Sequence, residues 1–228
     1  KSDPNNFMSI LNNSVEIIKK NWNIEINPSI VELFNVDSSN IQPENWTAII
    51  GKIQEKYDDF DAFLVLHGTN TMGYTAGALS FALENINKPV IMTGAQVPLG
   101  YLGTDAVTNL VNALRLAVWE YHDVKGVIAV FGSKIISGTR VKKGTDFDYD
   151  PFRSFQTGTL GQIGRFMRID DAELRKHVSY LSKYKPLAIQ SRVLSVKKDF
   201  DTKSIASLTE FPGMSADLFK SLVENNNI

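Results

Sequence analysis

Three short apolar runs, at 62–66, 89–93 and 126–131, constrain the possible folds of this chain more than any other feature. The first two runs stop at glycine turns, marked by Gly68 and Gly94. Continuous apolar runs of this length are typical of strands that are buried on both faces. Because helices must cover such strands on both sides, the pattern predicts an α/β fold with a mostly parallel sheet flanked by helices.

Helical patterns fill the intervals between these runs. The spacing of apolar residues predicts helices at about 74–84 and 104–118, with Thr104 or Asp105 as the cap of the second helix. A strand, helix, strand, helix, strand order follows, which is the order that builds a parallel sheet.

Further elements are predicted on either side of this unit. Upstream, 21–26 and 29–34 are interpreted as strands, and Pro43 is expected to begin a helix in its first turn. Downstream, 204–208 is interpreted as a strand, and 211–223 is similar to another strand-loop-helix unit.

These elements suggest two domains of unequal size. Residues 1–165 form the predicted amino-terminal domain. The charged segment 166–203 has weaker periodicity and is interpreted as a crossing segment or linker. Residues 204–228 are interpreted as the start of a second, smaller α/β domain that stops after one unit.

The topology also predicts where a ligand binds. In open parallel sheets, ligands bind at the carboxyl ends of the strands, where the following loops and helix amino termini meet. This rule selects 67–71 and 93–100 as candidate site segments. His67 is expected to pack or hydrogen-bond at the strand end rather than to act as a base.

Composition excludes several classes of function. The 24 Lys and Arg nearly balance the 25 Asp and Glu, so no net field favours nucleic acid or a membrane, and a small-molecule partner is expected. The chain has no cysteine, and its three histidines are far apart, so no metal site is expected. No apolar run approaches membrane-spanning length, and a cytoplasmic location is the default expectation.

Six motifs resemble, in order and spacing, those of the bacterial-type asparaginases. They are Asp-Ser-Ser-Asn-Ile-Gln-Pro-Glu-Asn-Trp at 37–46, Leu-His-Gly-Thr-Asn-Thr-Met at 66–72, Lys-Pro-Val-Ile-Met-Thr-Gly-Ala-Gln at 88–96, Thr-Asp-Ala-Val-Thr-Asn-Leu at 104–110, Gly-Thr-Arg-Val-Lys-Lys at 138–143 and Phe-Pro-Gly-Met-Ser-Ala at 211–216. The resemblance is closest to the cytoplasmic type I branch. It implies an L-asparaginase that converts L-asparagine to L-aspartate and ammonia through a threonine-based acyl-enzyme, without a cofactor, as a homodimer or homotetramer.

The resemblance implies catalytic roles for three residues. Thr69 matches a threonine whose hydroxyl lies beside the side-chain amide of the substrate, and Lys143 matches the lysine that works with it. A hydroxyl becomes a useful nucleophile when a nearby base accepts its proton. Asn70 stands where the family has an aspartate that pairs with the substrate's α-ammonium, so it is also assigned to substrate binding.

Substrate-binding roles are implied for four more residues. Asp37, Ser38 and Ser39 match the loop that holds the α-carboxylate and α-amino groups of the substrate. Ala95 matches the position whose backbone binds the side-chain amide, next to a glycine that permits close approach. Glutamine remains open as a second substrate.

The family's first strand carries Thr-Gly-Gly-Thr-Ile, whose threonine is usually assigned as the nucleophile, and no Thr-Gly-Gly occurs in this sequence, so only the family's second active-site threonine is matched, by Thr69. The chain is therefore expected to begin after that strand. Two alternatives stay open beside the asparaginase. One is a degenerate homologue, a pseudoenzyme that serves as a binding or assembly module. The other is an asparaginase-like, ammonia-supplying subunit of a tRNA amidotransferase.

Overall fold

The computed structural model describes residues 4–119, 124–183 and 194–200, together with the single residues Asp217 and Lys220, which are helical. The chain divides into two compact units, Lys1–Lys197 and Lys198–Ile228. The strand predicted at 204–208 and most of the unit predicted at 211–223 lie outside the described residues.

The first unit alternates helices and strands. In chain order, its elements are α1 (Pro4–Trp22), a 3₁₀ turn (Ser38–Asn40), α2 (Pro43–Glu55), β1 (Phe63–Leu66), α3 (Met72–Ala82), β2 (Leu83–Glu84), β3 (Pro89–Thr93), α4 (Ala106–Ala117), β4 (Gly126–Phe131), β5 (Lys134–Ser137), a second 3₁₀ turn (Gly138–Arg140), β6 (Val141–Lys143), β7 (Phe152–Ser154), β8 (Gly161–Ile163), β9 (Met167–Ile169), α5 (Asp171–Lys183) and β10 (Ser195–Val196).

A six-stranded sheet with the order β1-β3-β4-β5-β8-β9 forms the centre of this unit. Strands β1, β3 and β4 are parallel to one another. Strands β5, β8 and β9 extend the sheet through antiparallel pairs. The α/β class is confirmed, and so are the three predicted parallel strands. The antiparallel half of the sheet was not predicted.

Helices cover both faces of the parallel strands. All six residues of β4 are buried. On one face Ile128 and Val130 share a hydrophobic cluster with Ala113 and Leu116 of α4. On the other face α3 packs against β4. Since consecutive strand residues point to opposite faces, this double cover explains why β4 is apolar throughout.

The predicted strands at 21–26 and 29–34 are wrong. Residues 21–22 end α1, and 23–37 have no regular structure. Helix α1 was not predicted; its Leu11 and Ile18 pack on Leu110 and Leu114 of α4. The residues at 29–34 look like a strand, but none of the described strands pairs with them, so their apolar side chains remain largely exposed.

The segment 166–203, interpreted as a crossing segment or linker, carries regular structure where it is described. Strand β9 closes the antiparallel half of the sheet, and α5 follows it. His177 of α5 is buried, with Nε2 bonded to the carbonyl of Lys125 and Nδ1 to the hydroxyl of Ser137. Burial lowers the pKa of His177. Among the described helices, none is long and apolar enough to cross a bilayer.

Candidate active site

The loop between β1 and α3 begins the candidate site. The backbone N–H of His67 donates to the carbonyl of Thr93, which keeps the loop beside β3 after β1 has ended. Thr71 is the N-cap residue of α3. Thr69 and Asn70 therefore lie between a strand end and a helix amino terminus, as the topological rule predicted.

Lys143 joins Thr69 and Asn70 in one cluster. Its Nζ donates to Oγ1 of Thr69 at 2.9 Å and to Oδ1 of Asn70 at 2.8 Å. Nζ also forms an ion pair with Oδ1 of Asp146 at 2.5 Å. Thr69 is buried, and only 15% of the lysine side chain is exposed. The three residues predicted to be catalytic are thus in direct contact.

The 37–40 loop lies against this cluster. The Asn70 amide donates to Oγ of Ser39 at 3.1 Å, and the backbone N–H of Ser39 donates to a carboxylate oxygen of Asp37 at 2.8 Å. That backbone hydrogen bond, followed by a hydrogen bond from the Ser39 side chain, lowers the pKa of Asp37. Ser38 is buried, and a Cβ placed on Gly68 would lie 2.6 Å from its Oγ. A glycine is therefore required for the loop to approach this closely.

Ala95 lies in the turn after β3, next to a residue that contacts Thr69. The hydroxyl of Thr69 donates to Oε1 of Gln96 at 2.8 Å. A Cβ on Gly94 would overlap the carbonyl of His67, so the turn packs directly on the end of β1. The structure therefore brings all the predicted site segments to one edge of the sheet.

Sequence reasoning missed the residues that hold this turn. The Asp105 carboxylate accepts the backbone N–H groups of Gln96 at 3.0 Å and Val97 at 2.9 Å. It was predicted as a possible helix cap and is the N-cap residue of α4, but its side chain makes no capping hydrogen bond. Instead, Asn109 donates to Asp105 and to the carbonyl of Gly94. The available signal was an Asp and an Asn four residues apart on one helix face.

His67 hydrogen-bonds at the strand end, as predicted. Its Nδ1 lies 2.7 Å from the carbonyl of Gly68, and its Nε2 lies 2.9 Å from Oγ1 of Thr75. The carbonyl can only accept, so Nδ1 carries the hydrogen and Nε2 accepts from Thr75. Burial lowers the pKa of His67 and favours this neutral form.

The arrangement suits acyl transfer. It combines a buried hydroxyl, an amine in contact with it and polar groups suited to an amino acid. Within the described ranges, no group of three or more His, Asp or Glu side chains is placed to hold a metal ion. The hydroxyl of Thr69 and the amine of Lys143 are the groups that nucleophilic and acid-base chemistry uses.

Comparison with known proteins shows the family of the chain. The model of the family described as "Asparaginase, N-terminal" matches residues 4–175. The chain belongs to the asparaginase family. L-asparaginase 1 of Escherichia coli is 36% identical over 188 residues, which cover 82% of this chain and 51% of that protein. This confirms the family predicted from the motifs.

Other asparaginase relatives extend the comparison. A component of the glutamyl-tRNA(Gln) amidotransferase of Thermococcus kodakarensis is 32% identical over 200 residues, covering 84% of this chain and 42% of that protein. The crystal structure of L-asparaginase I from Vibrio cholerae matches with a TM-score of 0.74 at 27% identity, covering 93% of this chain and 61% of the other. The chain spans about half the length of the curated relatives it matches.

Proposed function

We propose that this protein hydrolyses the side-chain amide of L-asparagine to L-aspartate and ammonia. The observation that carries the proposal is the contact between Oγ1 of Thr69 and Nζ of Lys143, at 2.9 Å. A hydroxyl beside an amine that can take its proton is the apparatus that nucleophilic attack on an amide needs. Membership of the asparaginase family supports the same reaction class.

In the proposed reaction, Oγ1 of Thr69 attacks the amide carbon while its proton passes to a Lys143 amine that has released one of its own. Backbone N–H groups of the turn at Ala95 stabilise the charge that develops on the carbonyl oxygen. The proton then moves to the amide nitrogen, which leaves as ammonia. Water hydrolyses the resulting aspartyl ester, which releases aspartate and restores the Thr69 hydroxyl.

The resting geometry sets one requirement for this reaction. Thr69 accepts a hydrogen bond from Lys143 and donates its own hydrogen to Gln96. The hydroxyl hydrogen must therefore turn from Gln96 to Lys143 before the attack. Only an amine with a free lone pair can receive it.

The substrate's α-carboxylate and α-ammonium are assigned to Asp37, Ser38 and Ser39, together with Asn70. A neutral amide at position 70 keeps the shape of the family's carboxylate but not its charge, so binding of the ammonium is expected to be weaker by about 1 to 3 kcal/mol. Asparagine and glutamine differ by one methylene, which a pocket discriminates by about 1 to 3 kcal/mol. Both amides are therefore substrates to compare.

The test is ammonia release from L-asparagine by the purified chain. We expect release that Thr69→Ala abolishes, because the variant lacks the nucleophile. Thr108→Ala, an exposed change on α4, is the matched control and should keep full activity. No release above a heat-treated sample, or equal release by the two variants, would refute the proposal and favour a pseudoenzyme that binds without turnover.

The similarity to an amidotransferase component favours a second candidate, an ammonia-supplying subunit. Such a subunit would release ammonia mainly when a partner and tRNA are present, whereas an asparaginase releases it alone. An ammonia-supplying subunit would work in a hetero-complex. For the asparaginase we propose a cytoplasmic homodimer or homotetramer, and light scattering of the purified protein would test that oligomeric state.

A further inference from the structure

The loop formed by residues 144–150 contacts the site through Asp146. The carboxylate of Asp146 pairs with Nζ of Lys143 at 2.5 Å. The amide of Gln96 donates to the backbone carbonyls of Asp146 at 3.3 Å and Asp148 at 3.2 Å. The loop is therefore held both by its charge and by its backbone.

Lys143 requires an anion that its other two partners do not supply. Its side chain is only 15% exposed, and the oxygens of Thr69 and Asn70 that accept from it are neutral. A largely buried ammonium without a counter-charge is costly. In the described part of the chain, Asp146 supplies that charge, from a carboxylate that is itself 86% exposed.

Gln96 holds the loop so that the exposed carboxylate of Asp146 stays beside Lys143. An exposed ion pair alone contributes little, partly because both side chains must be ordered to form it. Backbone carbonyls only accept hydrogen bonds, so the NH₂ of Gln96 must face the loop and its Oε1 must face Thr69. The orientation of this amide is thus fixed, and it holds the backbone of Asp146 where its carboxylate meets Lys143.

We propose that Asp146 is a positioning residue: it supplies the negative charge that Asn70 lacks and holds Lys143 against Thr69 in the resting ammonium form, from which one proton must leave before the lysine acts as the base. This inference rests on the proposed amide hydrolysis for its effect on turnover. The contact of Asp146 with Lys143 and the anchoring of the loop by Gln96 can be tested without turnover.

The first test is steady-state hydrolysis of L-asparagine by the full chain. Asp146→Asn should lower kcat by about tenfold or more, the effect of losing a charged hydrogen bond, and change KM much less. Asp148→Asn is the matched control, because it removes the same charge from the same loop and keeps the carbonyl that Gln96 uses. Adding Asn70→Asp to Asp146→Asn should restore kcat, since the new carboxylate faces the same Nζ. An unchanged kcat in Asp146→Asn, or no rescue, would overturn the proposal.

The second test measures the loop and does not depend on activity. Phe147 is 95% exposed, so chymotrypsin can cut after it, and mass spectrometry can follow the fragments that end and begin there. Asp146→Asn and Gln96→Met should each be cut at least about fivefold faster than the parent, whereas Asp148→Asn should not. Asn70→Asp should leave the fast cutting of Asp146→Asn unchanged, which separates restored charge from restored loop anchoring. Equal cutting of Asp146→Asn and Asp148→Asn would overturn the inference, whether or not the protein releases ammonia. Absence of ammonia release alone would refute only the proposed function.

Discussion

Replacing Asn109 by alanine should destabilise the fold through the two turns that this side chain connects. Asn109 is 1% exposed on α4. Its amide nitrogen donates to the carbonyl of Gly94 and its amide oxygen accepts the N–H of Gly132, both at 2.9 Å. One side chain thus links the turn after β3 to the turn after β4.

The magnitude follows from the groups that the substitution leaves without partners. Asn109→Ala strands one backbone carbonyl and one backbone N–H, and each buried unsatisfied group costs about 1 to 3 kcal/mol. Both turns are only partly buried, so water recovers some of that cost. We expect a loss of about 2 to 4 kcal/mol in the free energy of unfolding, with the thermal midpoint falling by roughly 2 to 4 °C per kcal/mol.

Urea denaturation followed by tryptophan fluorescence measures this loss. Thr108→Ala, one residue away and exposed on the same helix, should stay within about 0.5 kcal/mol of the parent. A loss below about 1 kcal/mol for Asn109→Ala would show that water satisfies both turns, and the reasoning about this linkage would be wrong.

Three further predictions concern pH, close approach and packing. Burial lowers the pKa values of His67 and His177, so the unfolded chain binds protons before the folded chain does as the pH falls through about 6.5. The free energy of unfolding should therefore decrease over that range. Urea midpoints measured against pH should show a shallower decrease in His177→Gln than in the parent. Gly68→Ala places a Cβ 2.6 Å from Oγ of Ser38 and should displace the 37–40 loop, raising KM for asparagine more than it lowers kcat. Phe152→Ala removes a buried ring that packs edge-on against a second ring in β4 and should cost about 3 to 5 kcal/mol of unfolding free energy in calorimetry; a cost under about 1 kcal/mol would contradict this packing.

The elements that could be predicted from the sequence are those buried on both faces. Strands β3 and β4 occupy the predicted 89–93 and 126–131 because no amphipathic alternative suits so continuous an apolar run. Helix α1 was missed because its apolar residues are buried by packing on α4, a contact that is distant in the sequence. The segment 29–34 has strand-like composition, but composition does not provide a neighbouring strand to pair with.

The candidate site was predictable to the extent that motifs carried it. Thr69, Asn70 and the 37–39 residues were placed by their motifs and by the rule on strand ends. Gln96 has no local signal, because its side-chain contacts lie 27 to 52 residues away along the chain. Asp146 is only three residues from Lys143, but the two side chains meet because the loop between them is held by Gln96. Such contacts depend on tertiary structure, and periodicity contains no information about them.

The arrival of Lys143 at Thr69, across 74 residues of sequence, follows from the path of the chain along α3. Strand β5 runs antiparallel to β4 and so carries the chain away from the edge where Thr69 lies. The chain then returns along α3, and two glycines mark its path. A Cβ on Gly138 would lie 2.5 Å from Oγ of Ser80, near the end of the helix. A Cβ on Gly73, near the start of the helix, would lie 2.6 Å from the carbonyl of Val141. Because neither position has room for a larger side chain, β6 packs closely on the helix and ends beside its amino terminus, where Thr69 lies. Gly73 and Gly138 thus help to position Lys143, although neither glycine takes part in the proposed reaction.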